Sequence, residues 1–122
     1  AQRLAEETKF PDSHFDMVVS YIMFHEVTAD AQDKIIAEAM RVLRPGGVFF
    51  PMDFRTGKQA ATNTAYRKFS TWWDHRWNGE PWRFEYASRD FGDLVSSYGF
   101  EVDETVPAAR RGHGAIMAVK PA

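Results

Sequence analysis

The chain of 122 residues contains no cysteine. Disulfides, thiolate nucleophiles and Cys-ligated zinc or iron–sulfur centres are therefore excluded. No stretch approaches the roughly 20 consecutive apolar residues of a membrane span, and Ala1-Gln2-Arg3 lacks the apolar core of a secretory signal. The simplest expectation is a cytoplasmic protein with no membrane partner. An excess of one charge is also missing: 15 Lys and Arg oppose 17 Asp and Glu, for a formal net charge of −2. The basic residues are scattered, so the electrostatic footprint of nucleic-acid binding is not there. The initiator Met is absent as well, which suggests a chain that starts inside a longer or processed gene product. No Gly-x-Gly occurs before residue 47.

What is present is enough for one core. Hydrophobic residues make up 44% of the chain, and the length is that of a single domain. Arg44-Pro45-Gly46-Gly47 followed by Val48-Phe49-Phe50 punctuates the sequence most sharply. Each Gly allows the positive φ that stops a helix, and Pro45 cannot continue one. Upstream, Phe15 to about Met23 is a nearly continuous apolar run, which suits a strand buried on both faces. Between them, Ile35, Ile36, Ala39, Met40, Val42 and Leu43 recur at helical spacing over 30–43, with Thr28 or Asp30 able to cap the start. Val48 to Phe54 is a second strand. A loop over 55–63, an aromatic-striped helix from Thr64 to about Trp77, and a break at Asn78-Gly79-Glu80-Pro81 follow. Ser88 can cap a further helix to about Tyr98, and Gly99 stands where a left-handed residue should end it. Phe100–Val106 and Ala115–Val119 then read as an antiparallel hairpin around the Arg110–Gly114 turn.

Taken together, Ala5-Glu6, Phe10-Pro11-Asp12, the run Phe15 to Ser20, His25-Glu26-Val27 and the stretch Glu38 to Gly47 resemble class I S-adenosylmethionine-dependent methyltransferases. The likeness is most specific over 5–53, and the closing hairpin extends it to nearly the whole chain. It implies a Rossmann-like α/β fold and S-adenosylmethionine as cofactor. The first visible strand matches the family's fourth, so the chain looks like the C-terminal part of the fold without the glycine-rich cofactor loop. The resemblance thus reads 1–122 as one partial domain, with 55–87 as a variable aromatic-rich substrate segment inside it.

The resemblance also assigns roles. Leu4, Ala5 and Glu6 match the segment at the cofactor's adenine edge, although Leu4 stands where Asp or Asn is expected; a solvated terminus is the other reading. Ser20, Tyr21 and Met23 lie at a strand's carboxyl end, where open sheets place ligands, and would face the methionine portion of the cofactor. Tyr21 and Met23 can equally be core residues. His25 is the one candidate proton acceptor, the alternative being a structural His. Metal binding is not expected, because Ala29 occupies the position four residues on where a helical zinc signature needs a second His.

For the acceptor, Glu26 and Asp53 lie on the same rim. Asp53 either orients the substrate or pairs with Arg55 on the surface. Trp73 and Trp77 belong to an aromatic stripe too large for one helix to bury completely, so part of it is available to a substrate or partner. The implied reaction is methyl transfer to a small-molecule acceptor. The rival is a non-catalytic half-fold that self-associates through its first strand as a homodimer or strand-exchanged oligomer. A nicotinamide oxidoreductase ranks last, for want of a dinucleotide fingerprint and a Tyr-x-x-x-Lys pair.

Overall fold

In the computed structural model the described residues are 2–54, 69, 72–73, 76–77, 89–103 and 113–122. The expected 55–63 loop, most of the 64–77 helix, the break at 78–81, Arg55, Ser88 and residues 110–112 lie outside them. The elements run β1 (Phe15–Tyr21), a 3-10 turn (Phe24–Glu26), α1 (Ala29–Val42), β2 (Leu43–Phe54), α2 (Phe91–Ser97), β3 (Glu101–Asp103), β4 (His113–Ala115) and β5 (Met117–Val119).

α1 starts where the sequence supplies a cap: Thr28 Oγ1 accepts from the Ala31 amide at 3.2 Å, satisfying one orphan donor of the first turn. It ends at Val42, and β2 begins with the next residue. The two glycines there do different jobs, a correction to the expectation that both supply positive φ. Only Gly46 does, at +80°. At Gly47 a Cβ would come within 2.8 Å of the Arg44 carbonyl oxygen and 3.1 Å of that of Asp16, so this glycine is required by close backbone approach. Both lie in a register break: Phe15 pairs with Leu43 and Met17 with Val48, leaving the tetrad 44–47 to bulge out.

β1 and β2 are parallel, the crossover being α1. β5 runs antiparallel to β2, and β3 antiparallel to β5, giving the order β1-β2-β5-β3 with β4 also on β2. The expected hairpin is therefore present as Glu101↔Val119 through Asp103↔Met117. His113 and Gly114, expected in its turn, instead pair with Phe54 and Asp53 as part of β4, because the sheet offers them unpaired backbone. α2 is capped by Asp90, which accepts from the Asp93 amide at 3.0 Å, and Gly99 takes φ +98° as anticipated.

Val18, Phe49, Ala118 and Val102 form one row across the sheet. That row meets Ile35, Ile36 and Ala39 of α1 and Phe91 and Val95 of α2 in a single core. On the opposite side of β1, Met17, Val19 and Tyr21 are 59%, 52% and 54% exposed. The apolar run is therefore not buried on both faces, since strand alternation sends every second side chain away from the helices. No helix among the described residues is long and apolar enough to cross a membrane.

Candidate functional site

The carboxyl ends of the two parallel strands lie side by side, with Tyr21 opposite Met52. β1 is ended by Ile22, whose φ of +49° is rare for a β-branched residue and whose amide donates to the Met52 carbonyl at 2.7 Å. The chain then turns once through Phe24–Glu26. Phe24 is completely buried against Phe49 and Phe91, with ring centroids 6.2 and 4.8 Å away. This anchor holds the next residue, His25, at the strand ends.

His25 is 1% exposed and Asp53, from the end of β2, is 3% exposed. The Asp53 carboxylate receives both the His25 ring, Nδ1 to Oδ1 at 2.8 Å, and the His25 amide, N to Oδ2 at 3.3 Å. An ionised carboxylate only accepts, so Nδ1 carries a proton in this contact. Glu26 is exposed, with Oε1 3.8 Å from His25 Nε2. Asp53 is therefore a buried partner of His25, and not a surface residue; the sequence showed both groups on one rim but not their contact, which joins positions 28 apart.

Beside them, Ser20 Oγ is buried with no hydrogen-bond partner among the described residues. Ser20, Tyr21, Met23 and Ala5 line a cavity of about 490 Å³ that continues along β1 beneath Ile35 and Ala39. Leu4 and Glu7 close a tight turn, the Glu7 amide donating to the Leu4 carbonyl at 3.1 Å. Leu4 is 70% exposed and Glu6 is exposed too, so of this trio only Ala5 lines the cavity. Trp73 and Trp77 are helical, 46% and 59% exposed, with centroids 6.1 Å apart. Among the described residues no group of three His, Asp or Glu is placed to hold a metal ion.

The N-terminal segment is tied to α1 by a charge network absent from the sequence reading. Glu38 Oε1 accepts from the Thr8 amide at 2.9 Å and the Thr8 hydroxyl at 2.6 Å, and Arg41 grips both Glu38 oxygens at 2.7 and 2.9 Å. Arg41 also reaches Asp12 at 2.6 Å. Hydrogen bonds from Arg41, then from Thr8, hold the Glu38 carboxyl down at about 2. Gln32 and Arg89 were missed as well. The signal for Gln32 was a lone amide one turn ahead of Ile35 and Ile36 on the apolar stripe of α1, where it is completely buried.

A methyltransferase-domain family model matches residues 1–50. A ubiquinone/menaquinone biosynthesis C-methyltransferase of Psychromonas ingrahamii is 42% identical over 55 residues, covering 45% of this chain and 21% of that protein. A probable S-adenosylmethionine-dependent methyltransferase of Mycolicibacterium smegmatis is 27% identical over 117 residues, 92% of this chain and 37% of that protein. Among solved structures, a SAM-dependent methyltransferase from Methanosarcina mazei superimposes with a TM-score of 0.65 at 23% identity, covering 96% of this chain and 64% of that one. The chain thus spans 21% and 37% of the length of the two relatives. The parallel β1-α1-β2 unit and the antiparallel end of its sheet give the chain the Rossmann-like fold of that methyltransferase structure, and its residues 1–50 match the methyltransferase-domain family model.

Proposed function

We propose that the rim formed by β1 and β2 serves methyl transfer from S-adenosylmethionine to a small-molecule acceptor, within an enzyme longer than this chain. The observation that carries the reading is the conjunction of the His25–Asp53 pair with the unpartnered Ser20 hydroxyl at the adjoining strand ends. A buried hydroxyl without a partner is an open hydrogen-bonding position, so the rim fits a polar ligand group.

Ser20 and the Tyr21 backbone would hold the methionine portion, and the Leu4-Ala5-Glu6 turn the adenine edge. When bound, S-adenosylmethionine supplies an electrophilic methyl group on a sulfonium. The chain's own part is to align donor and acceptor at the strand ends, where fixed orientation is worth several kcal/mol, on the order of 7 or more in well-aligned systems. His25 accepts the acceptor's proton at Nε2, while Asp53 keeps the proton of Nδ1 in place and so keeps Nε2 basic. Glu26, Trp73 and Trp77 are the candidates for holding the acceptor, with Asp53 acting through His25.

Isothermal titration calorimetry with S-adenosylhomocysteine tests this directly. Micromolar binding that weakens in Ser20→Ala supports the reading; no heat at millimolar ligand removes this chain by itself as a cofactor-binding unit.

A second reading has its own observation. Met17 and Val19 are exposed on β1, which lies at the edge of the sheet among the described residues and suits pairing with another copy of the chain. In that reading the chain is a self-associating module without activity.

A further inference from the structure

We propose that Gln32, locked by Arg89, is a positioning residue for His25; the functional weight of this rests on the proton-acceptor role just described. His25 sits in a 3-10 turn of three residues. Its backbone bonds are few: Glu26 N to Met23 O at 3.0 Å and Val27 N to Phe24 O at 3.4 Å. A single turn of this kind has little stability of its own. Its geometry has to be imposed from outside.

Gln32 imposes it. The Gln32 side-chain amide donates to the Phe24 carbonyl at 3.0 Å and to the Val27 carbonyl at 3.3 Å, the two carbonyls that bracket His25-Glu26. The amide could turn over and present its oxygen to those carbonyls, but Arg89 prevents this. Arg89 Nη1 donates to Gln32 Oε1 at 3.0 Å and to the Ala29 carbonyl at 3.3 Å, while Nη2 binds Asp33 at 2.8 Å. A cation at the oxygen leaves the NH2 group only the turn to face. The ring of His25 is thereby fixed by Asp53 at its Nδ1 side and by Gln32 through the backbone that carries it. Gln32 is fully buried, so both donors are in a dry site where they cannot be replaced by water.

The test is nitrogen-15 NMR of the histidine rings, with His25 identified from the spectrum of His25→Gln. Gln32→Met preserves length and apolar contact but removes both donors. In the parent chain the His25 ring is expected as one tautomer, Nδ1-protonated. In Gln32→Met we expect a mixture of tautomers and a ring titration displaced by about half a pH unit, roughly threefold in proton affinity, while amide signals of β5 and α2 stay in place. Arg89→Leu, at a partly exposed position, should move the same signals in the same direction and serves if Gln32→Met does not fold. Either variant, folded and with an unchanged His25 tautomer and titration, overturns the proposal. Methyl-transfer kinetics add a second readout: kcat falls, by up to about a hundredfold, with KM for the cofactor unchanged. Because the NMR signals need no cofactor, a chain that fails to bind S-adenosylhomocysteine yet shows the ring shifts would retain the positioning role and lose the methyl-transfer reading.

Discussion

His25, Asp53 and Glu38 each take part in a paired side-chain contact, and each yields an outcome at the scale of a single side chain. Removing the carboxylate in Asp53→Ala takes an acceptor from two buried donors, the His25 amide and ring. Unfolding in urea should show a loss of about 2 kcal/mol or more. Asp53→Asn should lose less, because an amide oxygen can still accept from Nδ1. If methyl transfer runs on this rim, His25→Gln lowers kcat by about 10² to 10⁴. For Glu38 the direction with pH follows from its lowered pKa. Unfolded, the carboxyl titrates near 4.5; folded, it titrates at about 2. Its contribution is therefore complete above pH 4.5 and is lost as pH falls toward 2, since the unfolded chain takes up the proton first. Glu38→Gln should flatten the fall of the urea midpoint across that window, and an unchanged acid limb would place the sensitivity in other carboxylates.

At the scale of elements, the junction between α1 and β2 separates two uses of glycine. A Cβ at Gly46 meets nothing within 4 Å, so Gly46→Ala costs only the positive φ, about 1 to 2 kcal/mol. A Cβ at Gly47 runs into backbone oxygens at 2.8 and 3.1 Å, and the β1–β2 register break has no room to yield. Gly47→Ala should be the more damaging by equilibrium unfolding, the reverse of what φ alone would rank. The caps give a smaller effect: Thr28→Ala should cost about 1 kcal/mol. These elements were legible because their signals are local. A cap residue, a 3.6-residue apolar period and a Pro-Gly-Gly stop act within a few positions, and α1 forms within two residues of where they put it. The pairing of His113-Gly114 with β2 was not legible, because it depends on which backbone groups the sheet leaves open.

For the molecule as a whole, the outer edge of β1 is the surface on which self-association can be tested. Its exposed Met17, Val19 and Tyr21 present an apolar strand with an unpaired edge among the described residues. If this edge drives self-association, sedimentation at micromolar concentration will show dimers or larger species, and Val19→Lys will return the monomer with its far-UV circular dichroism intact. A monodisperse parent chain would remove self-association from consideration.

The sequence by itself determined the order β1-α1-β2, the antiparallel hairpin of β3 and β5, and the family resemblance, because each rests on neighbours in the chain or on a motif of fixed spacing. Ser20, His25 and Asp53 could be placed on one rim for the same reason: each ends or follows a strand. Only the tertiary structure decided what these groups do to one another. It inserted β5 between β2 and β3, left Met17 and Val19 of β1 exposed, and closed the contacts His25–Asp53, Thr8–Glu38 and Gln32–Arg89 across 28, 30 and 57 positions. Hydrogen bonds and ion pairs act over about 3 Å whatever the separation along the chain, and periodicity records which face a residue occupies but not which side chain it meets there.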